Sequence, residues 1–311
     1  MPTLEEIAAS LRSRQAQMQK EYDCRTPIGQ PLEIPWPGHL PVKVLVNLPK
    51  KSCEGTMDQE KGKGGTPFYI NAHGGGFIEG DAFTMGTHCQ KLADRLGIPV
   101  FNLNYRLAPD YPYPYPGEEA KVLLDYIEAH ALEYGIDPQR GGMGGFSAGA
   151  MLTLIRAISD IKDPDRKLKL KAIMLGYPGT SSDLADSDAE SPFQAMDETM
   201  AKAISLFYNG HEKDDELSPL YAPDEVLKKF PDTILFTCGN DSLGPQGVAF
   251  GARLVQNGVT VLFRRYAQAF HGFVEVNRPD YFPEDTRKTP EQQALSDDAE
   301  EFIIQGLKML L

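Results

Sequence analysis

Apolar residues along the chain alternate between short strand-like runs and stretches with the spacing of about 3.6 residues that helices have. Five of the strand-like runs are followed by a helical stretch, and one stands alone. The strand and helix pairs are residues 68–72 and 87–96, 100–105 and 118–134, 143–146 and 148–159, 233–238 and 248–256, and 259–266 and 291–310, with the lone strand at 172–177. This order predicts an α/β fold in which helices cover both faces of a mostly parallel sheet. Ligands of such sheets bind beyond the carboxyl ends of the strands.

The amino-terminal region and one internal interval depart from this alternation. Near the amino terminus, apolar residues at helical spacing predict an amphipathic helix, and they are Leu4, Ile7, Ala8, Leu11 and Met18. This helix suits a lid and the flank of the core equally well. Residues 179–217 are acidic and rich in turn formers, with one predicted helix at 197–208. We therefore expect a cap segment at residues 1–40, an α/β domain at residues 41–311, and an insertion at residues 179–217 that contributes to the cap.

Residues 42–48 alternate between Val or Leu positions and more polar ones, which predicts a half-buried strand. A hairpin is expected to follow this strand. The stretch 49–66 then shows no apolar period and is interpreted as a solvated loop.

The length and composition are those of an ordinary globular protein. The chain has 311 residues, of which 41% are hydrophobic and 24% are charged, so one core with an added cap is expected. The formal net charge of −13 disfavours nucleic acid and anionic membrane surfaces as partners, because like charges repel. A neutral or cationic small molecule fits this charge better, although solubility alone also explains it.

The distribution of cysteines and of apolar segments bears on metal binding, on disulfide formation and on cellular location. Cys24, Cys53, Cys89 and Cys238 are scattered and form no cluster, so neither a metal site nor a disulfide framework is indicated. Residues 1–20 carry several charges and lack the apolar core of a secretory signal. No stretch approaches the roughly 18 apolar residues of a membrane span. A cytoplasmic location is expected, no cofactor is implied, and the oligomeric state is open, with a homodimer as one option.

The segment Gly145-Phe146-Ser147-Ala148-Gly149 matches the pattern of a nucleophile elbow, in which a serine occupies a sharp turn between a strand and a helix. Glycines at the outer positions avoid steric clashes in that turn. The segment follows a predicted strand and opens a predicted helix, whose positive end favours a developing negative charge. We therefore predict Ser147 as a nucleophile. The alternative is a glycine-rich helix start with an inert serine.

A second glycine run, His73-Gly74-Gly75-Gly76, directly follows the predicted strand at 68–72. Glycines let backbone N–H groups approach a ligand closely, and two or three such donors can form an oxyanion hole. A glycine run alone is more often a flexible loop. The elbow downstream makes the oxyanion hole the favoured interpretation.

The remaining partners of a serine nucleophile are an acid and a histidine, which follow the serine in that order in proteins with an elbow of this kind. Asp241 lies just after the predicted strand 233–238, and His271 follows the strand 259–266. Three rival acids, Asp183, Asp186 and Asp188, fall in the 179–217 insertion. The other histidines considered, His39, His88, His130 and His211, are interpreted as surface or helix residues.

These motifs together make the chain resemble the hormone-sensitive-lipase-like, or type IV, carboxylesterases, which have the α/β-hydrolase fold. The resemblance covers roughly residues 65–275. It is carried by six ordered segments: His73-Gly-Gly-Gly-Phe77, Asn104-Tyr-Arg-Leu-Ala-Pro-Asp110, Gly135-Ile-Asp-Pro138, the elbow at Ser147, Ser218-Pro-Leu220 and His271-Gly-Phe273. The implied activity is hydrolysis of short- to medium-chain acyl esters through an acyl-enzyme intermediate.

The resemblance also implies residue roles. Gly75, Gly76 and Ala148 would form the oxyanion hole, His73 would brace the glycine loop, and the amino-terminal helices would cap the acyl pocket. The family commonly has Asp before the nucleophile, where this chain has Phe146, and bulky β-branched residues where Gly141 and Gly142 stand. Pocket shape and subfamily are therefore open. Alternative functions are a ligand receptor that has lost catalysis, and a lyase or amidase that uses the same triad.

Overall fold

A computed structural model describes residues 2–50, 65–163, 165–183, 198–212, 214–279, 281 and 285–311. The strands in these residues are β1 (Gln30–Ile34), β2 (Val42–Asn47), β3 (Thr66–Ala72), β4 (Val100–Asn104), β5 (Ile136–Phe146), β6 (Leu170–Gly176), β7 (Asp232–Asn240) and β8 (Val261–Phe270). The helices are α1 (Leu4–Asp23), α2 (Gly86–Leu96), α3 (Tyr115–Ala129), α4 (Ala131–Tyr134), α5 (Ala148–Lys162), α6 (Glu198–Tyr208), α7 (Asp224–Leu227), α8 (Gly244–Gln256), α9 (Phe273–Val276) and α10 (Pro290–Leu310).

The described strands form one eight-stranded sheet in the order β1-β2-β4-β3-β5-β6-β7-β8. The pairs β1–β2 and β2–β4 are antiparallel, and all the other neighbouring strands are parallel. The predicted mostly parallel sheet is therefore confirmed. Strand β5 lies at its centre, so a residue that follows β5 emerges in the middle of the edge where ligands of α/β sheets bind.

One prediction about the strands was wrong, and one predicted strand was too short. The hairpin expected after residues 42–48 lies before them, because β2 pairs with β1, a strand that the apolar pattern did not predict. The strand predicted at 143–146 extends over Ile136–Phe146. Pro138, Gly141 and Gly142 fall within this strand, and such residues normally interrupt strand patterns. Tertiary packing outweighs that local preference here.

The glycines of β5 are explained by the aromatic residues of the neighbouring strand. A Cβ atom on Gly141 would lie 2.7 Å from Cζ of Phe68, and one on Gly142 would lie 2.9 Å from Cδ2 of Tyr69. Phe68 and Tyr69 on β3 are fully buried. Their rings occupy the volume that β-branched residues on β5 would need. The large side chains on β3 therefore compensate for the small residues that this chain has on β5, where the family commonly has bulky ones.

Helix α1 packs on the main domain through its apolar face. Thr3 and Glu6 form a capping box at its amino terminus, and Ile7 and Leu11 are buried in the hydrophobic cluster that also contains Phe207 of α6. Helix α1 contacts α6, the helix of the 179–217 interval. This contact is consistent with a cap built from both segments, and the division of the chain into cap and domain stays a prediction. Of the helices in the described ranges, none has the length and apolarity to cross a membrane.

A buried ion pair joins α2 to α10 behind the centre of the sheet. Glu300 on α10 accepts a hydrogen bond of 3.0 Å from Nδ1 of His88 and another from Lys91. Burial of Glu300 opposes its charge, but His88 and Lys91 outweigh burial and lower the pKa of Glu300 to about 2. His88 was predicted to be a surface or helix residue; it lies on α2, but it is buried and packs against Phe146.

We expect Glu300→Gln to lower the free energy of unfolding by about 3 kcal/mol at pH 7, because it leaves the buried His88 donor and the partly exposed Lys91 ammonium group without an anionic partner. Glu301→Gln is the matched control, since Glu301 forms an exposed pair with Arg95 on the same helix and should contribute under about 1 kcal/mol. Urea unfolding of both variants measures the difference.

The lowered pKa of Glu300 sets the pH window of this contribution. The stabilisation of the fold by ionised Glu300 is fully present above pH 4.5, the ordinary pKa of a glutamate, and is lost as the pH falls through about 2. Equal stability of the two variants at pH 7 would contradict a stabilising role for the buried pair.

Candidate active site

Ser147 occupies a strained turn between β5 and α5. Its backbone angles are φ 52° and ψ −117°, in a region that L-residues rarely adopt. The turn is held by a hydrogen bond of 2.9 Å from the Ser147 amide to the Gly176 carbonyl. A Cβ atom on Gly145 or on Gly149 would overlap the carbonyl oxygen of Ala72 on β3. The two outer glycines of the elbow therefore let the turn pack directly against a neighbouring strand.

The predicted acid and histidine meet Ser147 beyond the ends of three parallel strands. Nε2 of His271 lies 2.8 Å from Oγ of Ser147, and Nδ1 of His271 lies 2.8 Å from Oδ2 of Asp241. Ser147 follows β5, Asp241 follows β7, and His271 follows β8. The structure thus brings together three side chains that are far apart in the sequence.

Asp241 is held in place by its own turn. It is buried, with 4% of its surface exposed, and its Oδ1 accepts a hydrogen bond of 2.9 Å from the Leu243 amide. Its other oxygen is thereby directed at His271. Among the rival acids, Asp183 lies in the insertion, and Asp186 and Asp188 lie outside the described residues.

The environment of His271 contains opposing influences on its protonation. Burial alone would lower the pKa of the imidazole, but the charge of Asp241 and its hydrogen bond raise it, and Glu275 raises it further. Arg287 acts in the opposite direction. The net effect is a pKa of His271 above its ordinary value of 6.5. An imidazolium at this position is therefore stabilised by its neighbours.

The glycine loop after β3 lies beside Ser147. Gly75 and Gly76 have φ angles of 112° and 60°, which favour glycine, and a Cβ atom on Gly75 would overlap the carbonyl oxygen of Glu79. Gly76 and Ala148 line the same cavity as Ser147. The backbone of this loop can therefore approach a molecule bound at Ser147, as an oxyanion hole requires.

His73 is buried behind this loop. Its Nδ1–H donates a hydrogen bond of 2.8 Å to the Gly74 carbonyl, and its ring stacks on Tyr105 with a centroid separation of 4.0 Å. The Tyr105 hydroxyl donates to the His73 carbonyl at 2.8 Å. Burial lowers the pKa of His73, so the ring is held neutral. These contacts fit the predicted bracing of the loop.

A cavity of about 230 Å³ opens beside Ser147. Its apolar wall is formed by Phe77, Met151, Ile204 and Leu243, and its polar positions are Ser181, Ser182, Ser205, Tyr208 and Glu212. Helix α6 supplies several of these residues, whereas α1 reaches the cavity only through its packing on α6. In the described part of the chain, the His, Cys, Asp and Glu side chains form no cluster of three that could hold a metal ion.

Two residues beside the triad were not among the predicted site residues. Tyr177 follows β6, and its ring packs edge-on against His271 with a centroid separation of 5.1 Å. Its hydroxyl donates a hydrogen bond to Glu275 on α9. The sequence offered only weak signals for them, namely a polar aromatic residue at a strand end and an acid in the turn after His271. Neither signal indicates that the two side chains meet.

The other histidines lie away from the triad's contacts. His39 and His211 are exposed, and His130 lies at the junction of α3 and α4, which agrees with their prediction as surface or helix residues. His88 is buried and hydrogen-bonded to Glu300, and His271 is the histidine whose ring contacts Ser147.

A serine, a histidine and an aspartate arranged in this way beyond a parallel sheet define a hydrolase of the nucleophile-elbow type. Comparison with known proteins supports this class. A family model described as alpha/beta hydrolase fold matches residues 69–275. The chain therefore belongs to the α/β-hydrolase family, and the α/β-hydrolase fold predicted from its motifs is confirmed.

The relatives narrow the class of reaction. Arylacetamide deacetylase of Oryctolagus cuniculus is 31% identical over 274 residues, with 68% of each chain covered. Versiconal hemiacetal acetate esterase of Dothistroma septosporum is 30% identical over 223 residues, covering 68% of this chain and 67% of the relative. The crystal structure of carboxyl esterase 2 from Tuber melanosporum has a TM-score of 0.73 at 26% identity, covering 93% and 88% of the two chains. The chain is a carboxylic ester hydrolase, and the resemblance to hormone-sensitive-lipase-like carboxylesterases is confirmed.

Proposed function

We propose that the chain hydrolyses esters with Ser147 as nucleophile, His271 as general base and Asp241 as the acid that orients the imidazole. The observation that carries the proposal is the continuous hydrogen-bonded chain from Ser147 Oγ through His271 to Asp241, with both contacts at 2.8 Å. Neutral His271 accepts the proton of Ser147 as Oγ attacks the ester carbonyl carbon. Asp241 accepts a hydrogen bond from Nδ1–H and stabilises the imidazolium that forms.

The reaction then proceeds through an acyl-enzyme. The tetrahedral intermediate collapses as the imidazolium gives its proton to the leaving alkoxide, and the alcohol departs. A water molecule next loses a proton to His271 and attacks the acyl carbonyl, which releases the carboxylic acid and regenerates Ser147. The amides of Gly75, Gly76 and Ala148 would stabilise the oxyanion in both steps, and His73 would hold the glycine loop in position.

The size of the cavity beside Ser147 favours substrates whose acyl part is a short chain or a small aromatic group. Pockets for drug-sized ligands span about 300–1,000 Å³, so about 230 Å³ accommodates a smaller group. Its apolar wall suits hydrocarbon, and its serines suit a polar substituent. We infer that esters of short- to medium-chain acids are the substrate class, with α1 and α6 as the cap. A cytoplasmic location and a homodimer stay predictions from the sequence.

Amide hydrolysis is a second candidate, favoured by the similarity to arylacetamide deacetylase, whose name specifies an N-acetylated aryl amine. The proposed triad could attack an amide carbonyl by the same steps, with His271 protonating the leaving amine. Side-by-side turnover of 4-nitroacetanilide and 4-nitrophenyl acetate distinguishes the two activities.

We expect Ser147→Ala to reduce kcat for 4-nitrophenyl butyrate by at least about 10⁴-fold, because the covalent step is lost, while the thermal unfolding midpoint stays close to that of the wild type. The burst of 4-nitrophenol in the first turnover should disappear as well. Retained turnover in a purified, folded variant would exclude Ser147 as the nucleophile.

We expect kcat/KM to rise with pH and to reach half of its maximum above pH 6.5, the ordinary value for histidine. The reason is that protonated His271 cannot accept a proton and that Asp241 raises its pKa. Initial rates between pH 5 and pH 9, corrected for spontaneous ester hydrolysis, measure the profile. A profile that is flat across this range would contradict the assignment of His271 as the base.

We expect Ile204→Ala to shift the chain-length preference toward longer acyl groups, because Ile204 forms part of the cavity wall beside Gly76. The ratio of kcat/KM for octanoate to that for butyrate should rise about 10-fold. Leu206→Ala is the matched control, since Leu206 lies on the same helix without lining the cavity. An equal shift in both variants would argue against a direct role of the wall.

A further inference from the structure

Glu275 places a carboxylate group directly behind the elbow and the glycine loop. It lies on the short helix α9, one turn beyond His271. Its Oε1 is 2.7 Å from the position that a Cβ atom on Gly74 would occupy, and that position is 3.7 Å from Cβ of Ser147. The absence of a side chain at Gly74 therefore admits the carboxylate to the rear of the reacting centre.

Tyr177 connects this carboxylate to the imidazole of His271. Its hydroxyl donates a hydrogen bond to Oε2 of Glu275, and its ring packs edge-on against His271 at 5.1 Å with an interplanar angle of 63°. The ring also stacks against Phe146, with a centroid separation of 5.7 Å. Tyr177 is 1% exposed, so this arrangement has little freedom to rotate.

The backbone at Tyr177 is itself strained. Its φ angle is 37°, which is uncommon for a residue other than glycine. The strained conformation is held by a hydrogen bond of 2.8 Å from the Tyr177 amide to the Phe236 carbonyl. Strain of this kind persists where the surrounding structure determines a side-chain position closely, and it is common at functional sites.

The charge of Glu275 also acts on the imidazole. Burial and the proximity of Glu275 raise the pKa of Tyr177 well above its ordinary value, so Tyr177 remains a neutral donor and requires an acceptor such as a carboxylate. The charged or titratable neighbours of His271 are Asp241, Glu275, Arg287 and Tyr177. Those of Glu275 are Tyr105, Tyr177, Cys238, His271, Tyr281 and Arg287. Of these neighbours of His271, Asp241 and Glu275 are the two that favour an imidazolium.

We propose that Glu275 is a positioning residue of the reaction, which holds the His271 ring in place through Tyr177 and stabilises the imidazolium with its own negative charge. The proposal rests on the proposed function, because it assigns significance to the imidazolium that forms when Ser147 loses its proton. Asp241 fixes the imidazole at Nδ1, and the Tyr177–Glu275 pair supports the ring from its side. The two acids thus act on different parts of the same side chain.

The test compares three variants by the pH dependence of kcat and KM for 4-nitrophenyl butyrate. Glu275→Gln keeps an acceptor for Tyr177 but removes the charge, so the acidic limb of kcat/KM should move down by about half to one pH unit. Its plateau should fall about 10-fold, mainly through kcat. Glu275→Asp should restore the position of the limb. Tyr177→Phe keeps the ring and the charge, so kcat should fall at least about 3-fold while the limb stays in place.

Glu133→Gln is the matched control, because it removes the same charge from an exposed helix position and should leave the profile unchanged. An acidic limb that coincides in folded Glu275→Gln and in the wild type would overturn the proposal. If Glu275→Gln does not fold, Tyr177→Phe decides, since wild-type kcat in that variant would equally overturn it. Loss of turnover in Ser147→Ala separates the two proposals, because it supports the triad whatever the Glu275 variants show.

Discussion

The bridge made by His271 between Ser147 and Asp241 is the interaction on which the rest of the site depends. Its two contacts, each 2.8 Å, join loops that follow β5, β7 and β8, so they form only if these strands lie side by side in parallel register. Bringing together residues separated by 124 positions costs chain entropy, which the burial of the sheet offsets. The position of the triad is thus a consequence of the sheet, while helix α6 contributes to the wall of the adjacent cavity.

Close backbone packing is the second constraint. The elbow reaches its strained conformation because Gly145 and Gly149 rest against the Ala72 carbonyl, which belongs to the strand that leads into the glycine loop. One contact therefore places Ser147 and the glycine loop relative to each other. Glycines also make room for neighbouring atoms elsewhere in β5, where Gly141 and Gly142 accommodate the rings of Phe68 and Tyr69. Small residues on one strand and large ones on its neighbour maintain the density of the interior.

The electrostatics of the site follow from burial. An imidazole enclosed by protein would ordinarily remain neutral, because desolvation penalises its charged form. Asp241 reverses that preference for His271, while His73, which is also buried but lies against carbonyl groups, keeps its lowered pKa. Two histidines of one site thus carry different protonation tendencies, and each tendency suits the proposed role. Phe146 contributes an aromatic surface, against which Tyr177 and His88 pack, where the family commonly has an aspartate.

The sequence by itself determined the candidate catalytic residues and most of the elements that hold them. Local signals were enough to predict the elbow at Ser147, the glycine loop at His73 and the positions of Asp241 and His271. Strained turns require glycine nearby, and the ends of strands can be recognised from the apolar pattern. The antiparallel β1, the length of β5, the burial of His88 and the meeting of Tyr177 with Glu275 were decided only by the tertiary structure. Periodicity reports that a residue is buried, but it does not identify the distant residue that it contacts, because that partner depends on strand order and on packing across the sheet.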